Sequence, residues 1–269
     1  MTDLSPAETI KATALGESYE YTQFFGITMN SLYALFSRLY MEKYNVTSEE
    51  LSQFSVLSHK HSVTCKHAQF NREFSLDSIN KSATISSPLR MLNCSPIGDG
   101  SASLVLSKTN NSNFDDVNIL SSTSSNSSTS FFSREDLLKF YSTTRCLNKS
   151  LAESKIKLED IDLLEIHDVV PAITANILET MGFSKPGNAS SDVLSGSYDL
   201  NSKVTLSSSG GLKARGNPLS ATGIYQIIEV TRQLQNRSHT DLENKNIGLC
   251  HNMSGIDSNS VIHILGVVN

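Results

Sequence analysis

The chain contains 269 residues with a formal net charge of −5, and its sequence pI is near 5.8. This length gives room for one large or two medium domains that fold without disulfide bonds. Mean hydropathy is −0.19. No stretch approaches the roughly 18 consecutive apolar residues of a membrane helix, so we expect no membrane span. The first residues contain no presequence pattern, which predicts a cytoplasmic protein. Lys and Arg form no basic stripe, which argues against a nucleic-acid partner.

The four cysteines are widely separated in the sequence. No two of them form a CxxC pair, and their intervals match neither a zinc-site spacing nor a small disulfide framework. We therefore expect no metal site and four reduced thiols. The cysteines are Cys65, Cys94, Cys146 and Cys250.

Two helices are predicted near the start of the chain. Between residues 30 and 44, apolar residues recur at i, i+3, i+4 and i+7, which is typical of a helix with one buried face. Thr47 and Glu50 form a capping box, which predicts a second helix from Ser48 to about Lys66. Three histidines in this stretch have no spacing that would pair them on a metal, so we expect them at the surface or in a loop. They are His59, His61 and His67.

The middle of the chain is poor in apolar residues. A strand is predicted at residues 101–106, after a turn rich in Pro and Gly. Residues 109–130 are dominated by Ser, Asn and Thr, which bury little apolar surface. This segment is therefore predicted to be a linker or a surface loop that divides the chain near residue 115.

Strands and helices alternate in the second half. A helix capped by Ser133, a helix closed by Gly182 and a helix at residues 224–234 are predicted from apolar spacing and cap residues. Strands are predicted between and after them, and this alternation predicts a layered α/β fold. The predicted strands lie at residues 161–166, 246–250 and 260–268.

A glycine-rich segment, residues 207–223, leads directly into the helix at 224–234. Glycines allow a ligand or another chain segment to approach the backbone closely, and a helix N-terminus favours negative charge. A nucleotide or another anionic ligand is therefore one interpretation. The other is a plain turn in which Asn217 is the N-cap and Pro218 is the first helical residue. No Walker or Rossmann pattern is present, so both interpretations stay open.

Two further candidate sites lie at strand ends. His167 and Asp168 follow the strand at 161–166, where ligand sites gather in α/β sheets. His167 could donate a hydrogen bond to a reacting oxygen, whereas Asp168 could only cap the next helix; a structural role for both is the alternative. Cys250 and His251 are adjacent on a strand and therefore point to opposite faces. We expect Cys250 in the core and His251 facing a cavity.

Four sequence blocks, in this order, resemble the thiolase family, and most closely its archaeal and sterol-carrier-protein-like branch. They resemble the family's strand and turn leading to DGAAA, its HDAF block, its NPSGGLKARGHPVGATG segment and its closing HNxGGxG. Here the blocks read PLRMLNCSPIGDGSASLVL, DIDLLEIHDVVPA, SSSGGLKARGNPLSATGIYQIIE and HNMSGIDSN. FFGITMNSLYALFSRLYMEKY resembles the family's helix after its nucleophile region. The resemblance therefore extends along nearly the whole chain.

The resemblance implies a thiolase fold, an α/β architecture of αβαβα layers with mixed five-stranded sheets. Residues 1–114 would be an incomplete N-terminal half that includes the loop region, and residues 115–269 a C-terminal thiolase domain. It also implies condensation or thiolysis of CoA thioesters, as in acetyl-CoA C-acetyltransferases. In that chemistry a nucleophilic Cys takes the acyl group and oxyanion holes stabilise the thioester oxygen. No bound cofactor is implied, because the coenzyme A thioester is the substrate.

The resemblance also implies roles for individual residues. His167 matches the HDAF histidine of the oxyanion region, and Asn217 stands where the family has its GHP histidine. His251 matches a position that is His in this branch and Cys in the degradative and bacterial enzymes, and it is predicted to be catalytic with the other two. Gly255 matches a glycine that borders the second oxyanion hole. The implied substrate-binding glycines are Gly210, Gly211, Gly216 and Gly255.

Two departures from the family pattern affect the expected activity. The family's nucleophilic Cys lies upstream of the block at which this sequence begins, and none of the four cysteines aligns with it. Asn217 can donate to an oxyanion but cannot accept a proton from a thiol near neutral pH. One hypothesis is an acyltransferase that is inactive until a partner supplies the nucleophile segment. The others are a non-catalytic protein that binds acyl-CoA or scaffolds an active paralogue, and a truncated remnant that does not fold stably.

Partners follow from the same resemblance. They are acyl-CoA, and either further copies of the chain in a homo-oligomer or a partner chain with the nucleophilic Cys. The archaeal branch also implies a small OB-fold, zinc-ribbon accessory protein and hydroxymethylglutaryl-CoA synthase.

Overall fold

A computed structural model describes residues 4–108, 116–240 and 242–267. The first half of the chain is mainly helical, whereas strands and helices alternate in the second half. No helix in these ranges is both long and apolar enough to cross a bilayer. The helices are α1 (Pro6–Thr13), α2 (Met29–Tyr44), α3 (Ser48–His61), α4 (Leu76–Lys81), α5 (Tyr141–Ser154), α6 (Pro171–Met181), α7 (Ala189–Leu194), α8 (Gly211–Ala214) and α9 (Thr222–Leu234). The strands are β1 (Thr84–Ser86), β2 (Leu89–Arg90), β3 (Val117–Asn126), β4 (Leu163–Glu165), β5 (Thr205–Leu206), β6 (Ile247–Ser254) and β7 (Asn259–Val267).

A mixed sheet of five strands lies at the centre of the second half, in the order β3-β7-β6-β4-β5. β7 is antiparallel to β3 and β6, so that His263 pairs with both Ser122 and Cys250. β4 runs parallel to β6 and to β5, with Leu164 opposite Leu249 and Leu206. The predicted α/β class with a mixed five-stranded sheet is confirmed. Among the described residues, the first half adds only the short β1–β2 pair.

Part of the Ser-rich segment is a strand rather than a linker. Residues 117–126 form β3 at the edge of the sheet and pair with β7 from end to end, apart from one irregularity. The predicted loop over 109–130 is therefore wrong for β3, because backbone hydrogen bonds hold this strand and its composition carries little apolar signal. Ser121 and Ser125 point inward and are buried. Residues 109–115, with the predicted boundary, lie outside the described residues.

The predicted helices of the first half are confirmed, with a change at the end of α3. The reciprocal hydrogen bonds of the Thr47–Glu50 capping box start this helix, as predicted, but it ends at His61 and does not reach Lys66. His59 and His61 are buried within α3, so their predicted position at the surface or in a loop is wrong. His59 packs edge-on against two phenylalanine rings, and His61 bonds to a backbone carbonyl and a carboxylate. The predicted strand at 101–106 is absent.

The boundaries of the second-half helices follow from their caps. α6 ends as predicted at Gly182, which has a left-handed φ of +87°. α5 begins at Tyr141, later than the predicted cap at Ser133, which closes a 3-10 turn instead. The carboxylate of Asp257, distant in sequence, accepts from the N–H groups of Ser142 at 2.8 Å and of the next residue at 2.9 Å. A tertiary contact thus satisfies this helix terminus, which local sequence does not reveal.

One hydrophobic core joins residues from both halves of the chain. α6 lies at its centre and packs against α2 and α3 on one side and α5 on another, and its residues 171–178 are all buried. The hydroxyl of Tyr40 in α2 donates to Glu179 of α6 at 2.5 Å. The division into residues 1–114 and 115–269 stays a prediction, and the described parts of both pack on the same helix.

Candidate active site

A cavity of about 620 Å³ opens at the carboxyl ends of the parallel strands β4 and β6. Ligand sites gather at this edge of an α/β sheet, and this volume is typical of small-molecule sites. His167 follows β4, and Asn252 and Met253 lie near the end of β6. α1 and the start of α2 supply further wall residues, including Thr13 and Asn30. The cavity therefore needs both halves of the chain.

His167 lines this cavity with a half-buried imidazole. Its Nδ1 atom is buried and has no hydrogen-bond partner among the described residues. Burial lowers the pKa of His167 to about 4, so the ring is neutral near pH 7. A neutral imidazole carries one N–H, which can donate to an oxygen that gains negative charge.

Asn217 also lines the cavity, but both ends of its side-chain amide are engaged. The Nδ2 group donates to Ser95 Oγ at 3.2 Å. Oδ1 accepts from the Leu219 N–H at 3.2 Å and from the Thr222 hydroxyl at 3.1 Å. These contacts favour a plain turn over an open ligand site. Asn217 is not the N-cap of α9, however, and Pro218 is not its first residue, because one 3-10 turn intervenes and Ala221 is the N-cap.

Cys250 and His251 lie on opposite faces of β6. Cys250 is in the core, as predicted: it is only 2% exposed and packs with Leu163, although it also borders the cavity. The predicted cavity-facing position of His251 is wrong. His251 is fully buried, is not among the cavity-lining residues, and places Nε2 3.1 Å from Thr143 Oγ1. Burial, with a second imidazole nearby, lowers the pKa of His251 to about 3. His251 thus lies behind the cavity wall, and its catalytic role stays a prediction.

Other atoms of the protein, rather than an open pocket, lie against the first glycines of the glycine-rich loop. A Cβ atom on Gly211 would lie 2.0 Å from Asp168 Oδ2, and one on Gly210 would lie 2.5 Å from Ser62 Cβ. Both glycines have left-handed φ angles, +56° and +92°. Asp168 Oδ1 accepts from the Leu212 N–H at 2.8 Å, so Asp168 caps α8 rather than α6. At these two positions the close approach comes from the chain itself.

Gly216 and Gly255 border two different openings. Gly255 lines the main cavity with a φ of +57°, and a Cβ there would lie 2.6 Å from Glu17 Oε1. The same oxygen accepts from the Ile256 N–H at 2.9 Å, which ties the loop after β6 to the segment after α1. Gly216 lies on a second cleft of about 310 Å³ with Arg215. Of the four glycines, Gly255 alone is among the residues that line the main cavity.

Two thiols contribute to the cavity wall, Cys94 and Cys250. Burial raises the pKa of Cys94 to about 11 and the pKa of Cys250 well above its usual value. Both are therefore protonated near neutral pH. The thiolate, not the thiol, is the nucleophilic form of cysteine, so their surroundings prepare neither of them to attack a thioester.

A buried charge network beside the glycine-rich loop is not evident from the sequence motifs. Arg215 Nη1 lies 3.5 Å from Glu165 Oε2 and 4.0 Å from Glu229 Oε1. Burial raises the pKa of Glu165 to about 8. Burial also opposes ionisation of Glu229, but hydrogen bonds from His67 and Ser209 and the charge of Arg215 lower its pKa to about 2. The sequence does contain one signal for such a network. A carboxylate lies within an apolar strand, Glu165 in β4, and another lies on an apolar helix face, Glu229 in α9.

The cavity therefore offers a hydrogen-bond donor without a prepared nucleophile in its described wall. His167 can polarise a carbonyl oxygen, and the polar side chains of Asn252 and Asn30 also line the space. The thiols are held neutral and the amide of Asn217 is engaged. This arrangement can donate a hydrogen bond to a carbonyl oxygen, whereas nucleophilic catalysis by Cys requires a thiolate from another residue.

Comparison with known proteins places these features in a family. Residues 123–267 match the thiolase C-terminal domain-like family. The acetyl-CoA acetyltransferase of Methanothermobacter thermautotrophicus is 32% identical over 98% of this chain and 70% of its own length. That of Methanocaldococcus jannaschii is 33% identical, with the same coverage of both chains. Sterol carrier protein 2 of Bos taurus is 29% identical over 80% of this chain and 41% of its own length.

Solved structures agree with this relationship at the level of the fold. The Ltp2-ChsH2(DUF35) aldolase includes a chain that superposes with a TM-score of 0.80 at 19% identity, over 99% of this chain and 69% of that one. A monomeric SCP2-thiolase like protein type 1 from Mycobacterium smegmatis gives a TM-score of 0.64 at 14% identity, over 91% and 53%. With the ordered motifs, the domain match and the archaeal relatives, these observations show that the chain belongs to the thiolase family.

Proposed function

We propose that this chain forms the acyl-CoA site of a thiolase-like acyltransferase of the acetyl-CoA C-acetyltransferase type. The observation that carries the proposal is the neutral His167, whose Nδ1 has no hydrogen-bond partner among the described residues, in a cavity of about 620 Å³ at the carboxyl edge of the sheet. The names of the archaeal relatives support acetyl-CoA as the thioester. Coenzyme A enters as part of the substrate, and the proposal includes no bound cofactor.

In this proposal the cavity residues act on the thioester oxygen. A Cys thiolate attacks the carbonyl carbon, and the oxygen becomes an oxyanion that accepts a hydrogen bond from His167. Collapse of this intermediate breaks the carbon–sulfur bond, leaves the acyl group on the Cys and releases the CoA thiolate, which takes up a proton. Gly255 is assigned to the substrate-binding wall. His251, behind the cavity wall, supports the site by fixing the position of β6 through its contact with Thr143.

The nucleophile is proposed to come from residues outside these 269, on the same or on a partner polypeptide. The raised pKa values of Cys94 and Cys250 support this assignment. A homo-oligomer or a partner chain would then complete the site. The solved neighbour whose name joins Ltp2 and ChsH2(DUF35) supports a partner chain. An OB-fold, zinc-ribbon accessory protein, hydroxymethylglutaryl-CoA synthase and a cytoplasmic location belong to the same proposal.

A second candidate function is a non-catalytic protein that binds acyl-CoA or scaffolds an active paralogue. The engaged amide of Asn217 favours it, because this group lies where the family has the histidine that activates its nucleophile. Such a protein would keep the cavity and the thioester site without turnover.

The decisive experiment separates binding from turnover. Acetyl-CoA binding to the purified chain is measured by calorimetry, and acetoacetyl-CoA thiolysis is followed at the thioester absorbance. The assay is repeated after adding the N-terminal segment of the Methanothermobacter relative, separately and as a fusion. We expect binding without turnover for the chain alone and turnover with the segment. His167→Ala should lower the rate by about 10² to 10³-fold, as loss of an oxyanion donor does, with binding changed much less.

Each other outcome decides against one version of the proposal. Absence of acetyl-CoA binding overturns it altogether. Rapid thiolysis by the chain alone places the nucleophile within these residues, and Cys94→Ser and Cys250→Ser would then identify it. Binding without turnover, even with the fused segment and Asn217→His, favours the non-catalytic function.

A further inference from the structure

Two loops that are distant in sequence bring three metal-ligating side chains together. Cys65 and His67 lie in the loop after α3, and His239 lies in the loop after α9. One ligand atom from each of the three lies within 4.8 Å of the others. The loops also touch through the hydroxyls of Thr64 and Thr240, which are 3.1 Å apart. Because 172 residues separate His67 from His239, the spacing rules that argue against a metal site do not apply to this cluster.

We propose that Cys65, His67 and His239 form a site for Zn²⁺ or a similar thiophilic divalent ion. One thiolate and two imidazoles are a donor set that zinc prefers, and a water molecule would complete a tetrahedron. The site is independent of the acyl-CoA function proposed above, because none of the three side chains lines the main cavity.

The donor atoms lie close to one another, but the two shortest contacts use different nitrogens of His67. Cys65 Sγ lies 3.4 Å from His67 Nε2, and His239 Nε2 lies 3.3 Å from His67 Nδ1. Ligand atoms of a tetrahedral zinc are roughly 3.3 to 3.6 Å apart, given bond lengths near 2.0 to 2.3 Å. Only one nitrogen of His67 can bind the ion. Coordination through Nδ1 requires a rotation of Cys65 towards that nitrogen, next to the exposed and adjustable His239.

Glu229 is placed to support coordination through Nδ1. Its Oε1 lies 2.8 Å from His67 Nε2, and its side chain is only 1% exposed. A histidine that binds a metal usually donates its second N–H to a carboxylate or a carbonyl, which fixes the tautomer and the ring orientation. Ser209 and Arg215 hold Glu229 in turn. The buried network beside the glycine-rich loop therefore supplies the outer support that such a site requires.

The ion would fasten a segment that supports the glycine-rich loop. The N–H groups of Gln69 and Phe70, just after His67, donate to the carbonyls of Arg215 and Ala214 at 2.9 and 3.0 Å. Closing a long loop with a metal stabilises the folded chain, because the unfolded chain loses more entropy on closure. We therefore expect a structural ion that stabilises the backbone leading to Asn217.

The test uses tag-free protein, because polyhistidine tags bind zinc. Bound metal is measured by mass spectrometry after dialysis against micromolar zinc, and Co²⁺ is added to apoprotein to detect thiolate ligation by its near-ultraviolet absorption. We expect about one ion per chain and a thiolate band. Zinc should also raise the melting temperature. His239→Ala should weaken zinc binding at least tenfold, and Cys65→Ser should remove the band.

Two matched variants control for nonspecific effects. Lys66→Ala changes an exposed neighbour, and Cys94→Ser removes a thiol outside the cluster; both should keep the ion and the band. Because His239 is exposed, its replacement tests the proposal even if Cys65→Ser misfolds. Wild-type protein that dialyses free of zinc, or equal binding by His239→Ala, would overturn the proposal.

Discussion

Four imidazoles hold a buried ring nitrogen without a hydrogen-bond partner in the described ranges, those of His59, His167, His251 and His263. Burial lowers the pKa values of the first three to about 3, 4 and 3, below the usual value near 6.5, and it also lowers the pKa of His263. The folded chain thus excludes a proton that the unfolded chain accepts. The stability contributed by the neutral rings is fully present above pH 6.5 and is lost as pH falls towards the folded pKa. These residues should make the fold acid-sensitive.

His59 allows this effect to be measured away from the cavity. It packs against Phe70 and Phe74, and burial, with the charge of Lys213 nearby, keeps it neutral. His59→Leu and His59→Gln should both reduce the loss of unfolding free energy between pH 7 and pH 5, by up to about 1.4 kcal/mol per pH unit. Urea unfolding at several pH values provides the measurement. If both variants change the pH dependence equally, the effect comes from loss of the titrating ring and not from altered packing. If the slope of unfolding free energy against pH is unchanged in both, His59 accepts its proton in the folded chain.

At the scale of elements, the short helix α8 depends on a side chain from the end of β4. Asp168 accepts from the Leu212 N–H and lies directly over the backbone of Gly211. The position of α8 therefore depends on the Asp168 carboxylate and on Gly211, whose lack of a side chain leaves room for that carboxylate. A four-residue helix has too few hydrogen bonds of its own to form independently.

Gly211→Ala should consequently be among the most damaging single substitutions in this loop. The new Cβ would lie 2.0 Å from Asp168 Oδ2, at a φ of +56°. We expect a loss of about 3 kcal/mol or more in unfolding free energy from the combined strain and displacement. Gly196→Ala is the matched control, because Gly196 also has a left-handed φ, +80°, but no atom within 4 Å of the added Cβ. It should lose only about 1 to 2 kcal/mol. Equal losses in urea unfolding would mean that Asp168 moves aside without cost.

The elements that sequence predicts well are those whose signals are local. The apolar spacing of α2, the capping box of α3 and the glycine after α6 all lie within one helix. β3 escapes prediction because its partner strand begins 133 residues away from Asn126 and its own side chains are mostly hydroxyls.

The same limit applies to the candidate site. The motifs predict the positions of His167, Asn217 and Gly255, which the structure places on one cavity. They do not predict that His251 is buried behind the cavity wall, or that Cys65 lies close to His239. Those facts depend on register and on loop contacts between distant segments.

For the whole molecule, the decisive feature is the shared core around α6. This helix is buried on several sides, and α2 and α3 cover one of them. Removal of residues 4–108 would expose that side to water. Burial of apolar surface is the main term that stabilises a domain, so the remaining chain should lose its cooperativity.

A fragment of residues 116–269 tests this expectation. The full chain should melt in one transition, whereas the fragment should melt broadly and bind a hydrophobic dye. Calorimetry and dye fluorescence give the two measurements. Addition of residues 1–115 as a separate chain should restore a sharp transition. A fragment that melts cooperatively at the temperature of the full chain would instead show two independent domains divided near residue 115.

The serine-rich edge strand β3 also affects how copies of this protein meet one another. An edge strand exposes unpaired backbone groups, and a flat apolar edge recruits strands from other molecules into aggregates. Among the described strands, β3 forms one edge of the central sheet, and its exposed positions carry Ser122, Ser124 and Asn126 with a single large apolar side chain, Ile119. The serine-rich composition that makes this strand hard to predict from the sequence therefore also protects the folded sheet against intermolecular strand pairing.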